Sequence, residues 1–207
     1  MKTILIISYS QLHKDPRILR QIQALNNDYK IITAGYTPAN IFNLQHYDIN
    51  ILAKENIRKT NDKIILFFYL FLNLLRFHSK YLDYKYNLKN VLSYNINTPD
   101  FIIANDWDGL YLASKLKKIK KWNSNIYFDA HEYAPLMFNN SFKWKIFNKP
   151  LIKWSLMQCK NDIKIMSTVC SGIAREYERF FKFPEGFIRI ITNSTEYISD
   201  LKPTNII

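Results

Sequence analysis

Residues 3–34 read TILIISYSQLHKDPRILRQIQALNNDYKIITA, and this stretch decides the fold. Thr3 to Ser8 is apolar and β-branched, a composition suited to a strand covered on both faces. Asp15 then offers a helix N-cap and Pro16 fills the first helical position, where its missing N–H costs nothing. Ile18, Ile22 and Leu25 recur at helical spacing, Asn26-Asn27-Asp28 closes the helix, and Lys30 to Ala34 forms a second strand. A strand, a helix and a second strand of this length make a parallel, right-handed crossover unit.

The alternation continues. Tyr47 to Leu52 is a third expected strand, followed by helices over Asp62–Phe77 and Lys80–Leu92, and Thr98-Pro99-Asp100 breaks the second helix. Phe101 to Ala104, Asn125 to Phe128, Ile163 to Val169 and Phe187 to Ile191 complete the strands. Helices are expected over Leu110–Lys121, Lys143–Cys159 and from a cap at Ser171. The implied class is α/β, a doubly wound, mostly parallel Rossmann-like sheet with helices on both faces. Residues 1–193 are expected to form this one domain, and residues 194–207, with Pro203 and no periodicity, a tail or the start of a linker. Ile64 to Leu75 is nearly all apolar but shorter than the roughly 20 residues a bilayer demands; burial is the simpler reading and membrane contact the alternative.

Composition narrows the function. A chain of 207 residues that is 48% hydrophobic folds around a real core. Its formal charge of +12 favours an anionic partner, although Lys, Asn, Ile and Tyr are abundant together as general background. The four glycines, at 35, 109, 172 and 186, form neither a dinucleotide fingerprint nor a phosphate loop, which excludes the common NAD-dependent and P-loop classes. Cys159 and Cys170 are expected to be buried, reduced thiols, and no metal set is expected. The apolar start is too short for a secretory leader, so a cytoplasmic location is expected. Two stretches mix lysine with tryptophan, Lys115 to Trp122 and Phe142 to Trp154, the pattern of a helix lying on an anionic membrane surface. No nucleic-acid module accompanies them, so nucleic acid is not an expected partner.

Ligands of open parallel sheets bind at the carboxyl ends of strands near the point where strand order reverses. Three loops leave such ends: Ser8 to Lys14, Asn105 to Gly109 and Asp129 to Glu132. In a sheet ordered 3-2-1-4-5 they share one crevice. The first offers Ser10 and His13, with Arg17 and Arg20 on the following helix, a reasonable site for an anionic group. His131, between Asp129 and Glu132, is the candidate for proton or charge work. Asp106 and Asp108 read in two ways: as caps of the next helix, or as a metal-holding Asp-x-Asp pair.

The run Ile4-Leu5-Ile6-Ile7-Ser8 through His13-Lys14-Asp15-Pro16-Arg17-Ile18-Leu19-Arg20, then Asn105-Asp106-Trp107-Asp108, Tyr127-Phe128-Asp129-Ala130-His131-Glu132 and Thr168-Val169-Cys170-Ser171, resembles the N-terminal domain of retaining GT-B glycosyltransferases of the family four group. The resemblance implies a two-domain, metal-independent transferase whose N-terminal half holds the acceptor, with His131 facing the interdomain cleft as the catalytic residue and Ser10, His13, Arg17, Arg20, Asp106, Asp108, Asp129 and Glu132 around it as substrate-binding residues. It implies a nucleotide-sugar donor, a glycan or glycolipid acceptor of the cell envelope, and a peripheral place at the inner face of the cell membrane. The first loop lacks the family's glycine pair, and no two glutamates stand eight positions apart as in its donor site. A C-terminal donor-binding domain or partner chain is therefore expected to supply the donor, and the chain alone is expected to be inactive. Two other readings stay open: a small metal-dependent GT-A-like transferase using Asp106 and Asp108, and a non-catalytic subunit that docks on membranes or activates a separate donor subunit.

Overall fold

A computed structural model describes residues 1–39, 43–49 and 60–193, with the backbone alone for residues 60–63. The described residues form a seven-stranded sheet in the order β3-β2-β1-β4-β5-β6-β7, parallel throughout. The strands are β1 (Thr3–Ile7), β2 (Lys30–Gly35), β3 (Gln45–Asp48), β4 (Phe101–Asn105), β5 (Asn125–Ala130), β6 (Ile163–Thr168) and β7 (Arg189–Ile190). The expected 3-2-1-4-5 order is present, and the direction of winding reverses between β1 and β4. The helices are α1 (Pro16–Leu25), α2 (Thr60–Leu74), α3 (His78–Lys85), α4 (Leu88–Ser93), α5 (Asp106–Ile119), α6 (Lys149–Cys159) and α7 (Ser171–Phe181).

Strand side chains alternate between two cores, the signature of a sheet covered on both faces. Leu5 and Ile7 of β1 join Ile102, Phe128, Leu112 and Leu156 in the larger one. Ile4 and Ile6 point the other way, to Ile18 and Ile22 of α1. Asp15 caps α1 as its position suggests, accepting from the amides of Arg17 at 3.2 Å and Ile18 at 3.4 Å. Gly109 marks a close approach of α5 to β1: a Cβ there would stand 3.1 Å from the carbonyl oxygen of Ile7, a backbone atom that cannot step aside. Alanine improves helix propensity by about 1 kcal/mol, whereas overpacking against rigid backbone costs roughly 1–3 kcal/mol. Gly109→Ala is expected to lower stability by about 1 kcal/mol in urea denaturation, and a gain would contradict this packing.

Several expectations are corrected. The stretch expected as one helix over Lys80–Leu92 is divided between α3 and α4 at Asn87, whose φ is 45°. The helix expected from Leu110 begins at Asp106, and the segment before α6 opens as a π-turn over Trp144–Asn148. β3 starts at Gln45, before the expected Tyr47, and the rest of that expected strand from residue 50 on lies outside the described residues, as does the tail from residue 194. Ser171 begins α7 but does not cap it: the N-cap is Cys170, without a side-chain bond. Cys159 is buried, and its thiol is pushed up to about 12 by burial, but Cys170 is exposed.

The largest correction concerns α2. Burial was the simpler reading of Ile64–Leu75, yet Ile64, Phe67, Phe68, Phe71 and Leu74 are all exposed. The basic stretch at the end of α5 is free only in part, at the exposed Lys118 and Lys121. Lys115 pairs with Asp83 at 3.3 Å, Lys117 with Asp162 at 3.7 Å, Lys120 donates to the carbonyl of Tyr94, and Trp122 is buried.

Candidate active-site cleft

The carboxyl ends of β1, β4 and β5 carry the three polar loops, and the hydrogen bonds among them build one site. Ser10 donates its one hydroxyl proton to Asp15 at 2.9 Å and so accepts from Ser8, also at 2.9 Å. Both terminal nitrogens of Arg17 donate to Oδ2 of Asp106 at 3.2 Å, and Nη2 also lies 3.4 Å from Asp15. The other oxygen of Asp106 accepts the backbone N–H of His131 at 3.2 Å. Arg17 thus ties the loop after β1 to those after β4 and β5. Asp106 itself has a φ of 59°, a left-handed conformation that costs a non-glycine residue on the order of 1 kcal/mol and is held by these contacts.

Beneath His131 lies a second network. The His131 Nε2 is 3.8 Å from Asp129 Oδ2, an ion-pair distance and too long for a hydrogen bond. Asp129 accepts from Ser167 and, at 2.9 Å, from the Gln21 amide, which exchanges reciprocal bonds with Asn105 at 2.9 and 3.1 Å. Tyr127 donates to Ser167 at 2.5 Å. Gln21 and Ser167 were not singled out from the sequence, and Asn105 and Tyr127 stood in the quoted motifs without a role. The available signal was the period of two along β5, which puts Tyr127, Asp129 and His131 on one face, and the helical spacing of Arg17 and Gln21 on α1.

The loops enclose a cleft in two lobes that share Arg17 and His131. The inner lobe, about 270 Å³, is lined by Ser8, Tyr9, Ser10, Asp106, Asp108 and Glu132 among others. The outer, about 330 Å³, includes Arg20, Gln21, Asp129 and Asn193. Together they fall in the range of small-molecule sites, roughly 300–1,000 Å³. Eight of the nine expected site residues therefore meet in one cleft. His13 does not: its Nδ1 lies 2.8 Å from the Thr37 hydroxyl, and it lines neither lobe. A larger cavity of about 710 Å³ between α2, α3 and α4 is lined by Phe68, Leu72, Leu88 and Leu92 together with Lys80, Asp83, Asn87 and Lys89, and lies away from the carboxyl ends of β1, β4 and β5.

Electrostatics set the chemical character. The His131 pKa is lowered from the ordinary 6.5, first by burial and then by the Arg17 cation, with Asp106, Asp129 and Asp15 opposing. At neutral pH its imidazole is neutral, able to hydrogen-bond or accept a proton. Asp129→Asn removes one of the opposing carboxylates. NMR titration of the ring is expected to show His131 protonating at a still lower pH, and an unchanged midpoint would contradict this arrangement.

Asp108 lines the inner lobe with Asp106. Its carboxyl is pushed up to about 6 by burial and by the neighbouring Asp106, with Lys85 opposing. Its charge in turn helps raise Tyr9, Tyr36 and Tyr86, although burial is the larger cause for each. The Tyr9 hydroxyl is buried with no hydrogen-bond partner among the described residues. The Asp108 carboxylate accepts the Gly109 amide at 2.9 Å from within α5, so it is not the cap expected of it: α5 begins at Asp106 and its N-cap, Asn105, makes no side-chain capping bond, while Asp106 is engaged by Arg17 and by the His131 N–H. Asp106 is already held by Arg17 and the His131 N–H, and no group of three His, Cys, Asp or Glu side chains among the described residues could hold a metal ion.

No family model matches the sequence, and no curated protein matches it. Solved structures do. Sucrose-phosphate synthase from Thermosynechococcus elongatus aligns over 94% of this chain and 49% of its own, at 16% identity and a TM-score of 0.51. UGT89C1 of Arabidopsis thaliana, complexed with UDP-L-rhamnose, and UGT73P12 of Glycyrrhiza uralensis align more loosely, at 13% and 6% identity, over 92% and 93% of this chain and 48% of theirs, with TM-scores of 0.45 and 0.46. The chain spans about half the length of the solved chains it matches. It has the Rossmann-like α/β fold of one half of a GT-B glycosyltransferase.

Proposed function

We infer that this chain is the acceptor-binding, N-terminal half of a glycosyltransferase of the retaining family four type, moving a sugar from a nucleotide-sugar to a cell-envelope glycan or glycolipid at the inner face of the cell membrane. The observation that carries this reading is the charge of the cleft. In a chain with a formal charge of +12, the cleft gathers Asp106, Asp108, Asp129 and Glu132 around Arg17, whose own charge is already matched by Asp15 and Asp106. Such a surface repels a nucleotide diphosphate and suits a polyhydroxylated ligand, because carboxylates accept hydrogen bonds from sugar hydroxyls. Tyr9 and Trp107 add aromatic surface in the inner lobe. Arg17 thus acts as a clamp between loops, and of the two arginines only Arg20, exposed at the outer lobe and bonded to Asn193, stands toward a donor.

In this reading the donor nucleotide is held by a C-terminal domain or partner chain, and His131 meets the transferred sugar at the boundary. Asp106, with one oxygen on Arg17 and the other on the His131 N–H, is already engaged, which weighs against a metal-dependent GT-A-like mechanism. The test is transfer of labelled sugar from nucleotide-sugars into isolated cell membranes by this chain together with its donor-binding half. Incorporation that persists in EDTA is expected. Incorporation abolished by EDTA and restored by manganese would overturn the metal-independent reading, and equal transfer by the donor half alone would remove the acceptor role.

A further inference from the structure

A second cavity, of about 380 Å³, opens between α3, α5 and α6, and among the described residues it shares no lining residue with the cleft. The same helix serves both places. Asp106 and Asp108 in the first turn of α5 line the cleft, whereas Tyr111, Ser114 and Lys118 line the cavity. At 1.5 Å of rise per residue, Ser114 stands about 9 Å along the helix from Asp108.

The wall formed by α5 holds a polar group that the fold leaves unanswered. Ser114 is 8% exposed, and its hydroxyl makes no hydrogen bond among the described residues; it stands beside the Cys159 thiol, a weak acceptor. A buried hydroxyl without a partner is a cost that native folds rarely carry without a water or a ligand to answer it. Burial pushes the Cys159 thiol up to about 12, so it stays protonated and unreactive, and the cavity is built to bind rather than to react.

The other walls combine an aromatic face with hydrogen-bonding groups of both kinds. Trp154 of α6 is half-buried, its ring 6.5 Å from that of Tyr111. With it stand Ser79 of α3, which accepts from Lys115 at 2.9 Å, the exposed Gln158 amide and the Asp162 carboxylate. An apolar ring face beside mixed donors and acceptors matches a sugar, whose C–H face stacks on an indole while its hydroxyls both donate and accept. Charge narrows the choice. Lys115 is matched by Asp83 at 3.3 Å and Lys117 by Asp162 at 3.7 Å. Lys118 lines the cavity, is exposed and makes no ion pair among the described residues. Three cations thus stand against two carboxylates, and the one in surplus answers a single negative charge. A neutral hexose leaves that cation unused, and a phosphate dianion brings more charge than it matches.

We propose that the cavity between α3, α5 and α6 is a second saccharide site, which takes a sugar ring bearing one carboxylate, with the ring on Trp154 and the carboxylate on Lys118. The site stands on these residues alone. Its further consequence, that a glycan whose end lies in the cleft is held again by an acidic unit of its chain, rests on the sugar-transfer reading.

The test is an NMR titration of this chain with glucuronate, glucose and glucose 6-phosphate, following together the His131 ring and the indole N–H of Trp154, identified by its loss in Trp154→Phe. Glucuronate is expected to shift the Trp154 resonance, and glucose at the same concentration to leave it where it is. Lys118→Gln is expected to weaken glucuronate binding at least about fivefold, since a charge-assisted bond is lost. Ser114→Ala is expected to weaken it too, with thermal unfolding unchanged or raised because the hydroxyl has no partner in the fold to lose. Lys121→Gln, also exposed at the end of α5 but outside the cavity, should bind as the parent does. No shift of Trp154 by any of the three, a shift by glucose equal to that by glucuronate, tighter binding of glucose 6-phosphate, or a loss through Lys121→Gln equal to that through Lys118→Gln would each overturn the proposal. A shifted Trp154 beside a His131 that no sugar moves would count against the cleft reading and leave the second site standing.

Discussion

Replacing His131 by alanine is expected to lower sugar-transfer turnover at least about tenfold, the low end of what a positioned proton-transfer or charge-stabilising group contributes. The expected cause is local. His131 is half-buried at the junction of the two lobes, held by its backbone N–H on Asp106 and its ring beside Asp129. Removing the imidazole leaves the Arg17–Asp106 tie intact, so thermal unfolding of the variant should match the parent while turnover falls. Because the His131 pKa is depressed, its neutral form persists below the ordinary histidine value. The parent's rate is therefore expected to fall only as pH drops below 6.5, and that limb should be missing in the variant. Unchanged turnover would remove His131 from the site.

Asp108→Asn is expected to make the protein more stable, an unusual result for a half-buried residue of a cleft. The sign follows from its carboxyl, raised from 3.8 in the unfolded chain to about 6 in the fold. Below pH 3.8 both states are protonated and the residue costs nothing. Between pH 3.8 and 6 the unfolded chain ionises first, so stability falls as pH rises, and above pH 6 the full penalty stands. At about 1.4 kcal/mol for each tenfold change in an equilibrium constant, this is on the order of 3 kcal/mol at pH 7. Lys85, whose ammonium is itself disfavoured by burial, loses its counter-charge in the variant and takes back part of the gain. A net gain of about 2 kcal/mol is expected at pH 7, seen as a rise of several degrees in melting temperature, and none at pH 4. Proteins retain residues that destabilise them where a site demands it, so transfer is expected to fall as stability rises. A variant that loses stability at pH 7 would contradict the burial of an ionised Asp108.

The architecture was open to sequence reading because two periodicities differ sharply. Runs such as Ile4–Ile7 and Phe101–Ala104 are covered on both faces and read as unbroken apolar strands, while α1 carries a clean stripe at Ile18 and Ile22. The site was legible as three loops because strand ends in a doubly wound sheet are where polar runs collect. What holds the site was not legible. Gln21 and Ser167 act across the sheet on Asp129, partners far apart in sequence, and nothing local distinguishes Gln21 from a solvated helix residue. Direction was misread for the same reason at α2: a stripe of phenylalanines and leucines has the same spacing whether it faces a core or solvent. Three lysines of the stretch at the end of α5, Lys115, Lys117 and Lys120, are bound by Asp83, Asp162 and the Tyr94 carbonyl, contacts that only the tertiary fold creates, whereas Lys118 and Lys121 are exposed as a surface patch requires.

The central claim is that the cleft around His131 receives a sugar acceptor and no nucleotide of its own. The most direct measurement is an NMR titration of the histidine ring resonances of this chain with hexose mono- and disaccharides, and separately with UDP- and GDP-sugars in the presence and absence of manganese. The account predicts that saccharides shift the His131 resonance and leave His46 and His78 unmoved, while nucleotide-sugars shift none of them. Micromolar, manganese-dependent binding of a nucleotide-sugar that moves His131, with no response to any saccharide, would contradict it and return the active site to Asp106 and Asp108.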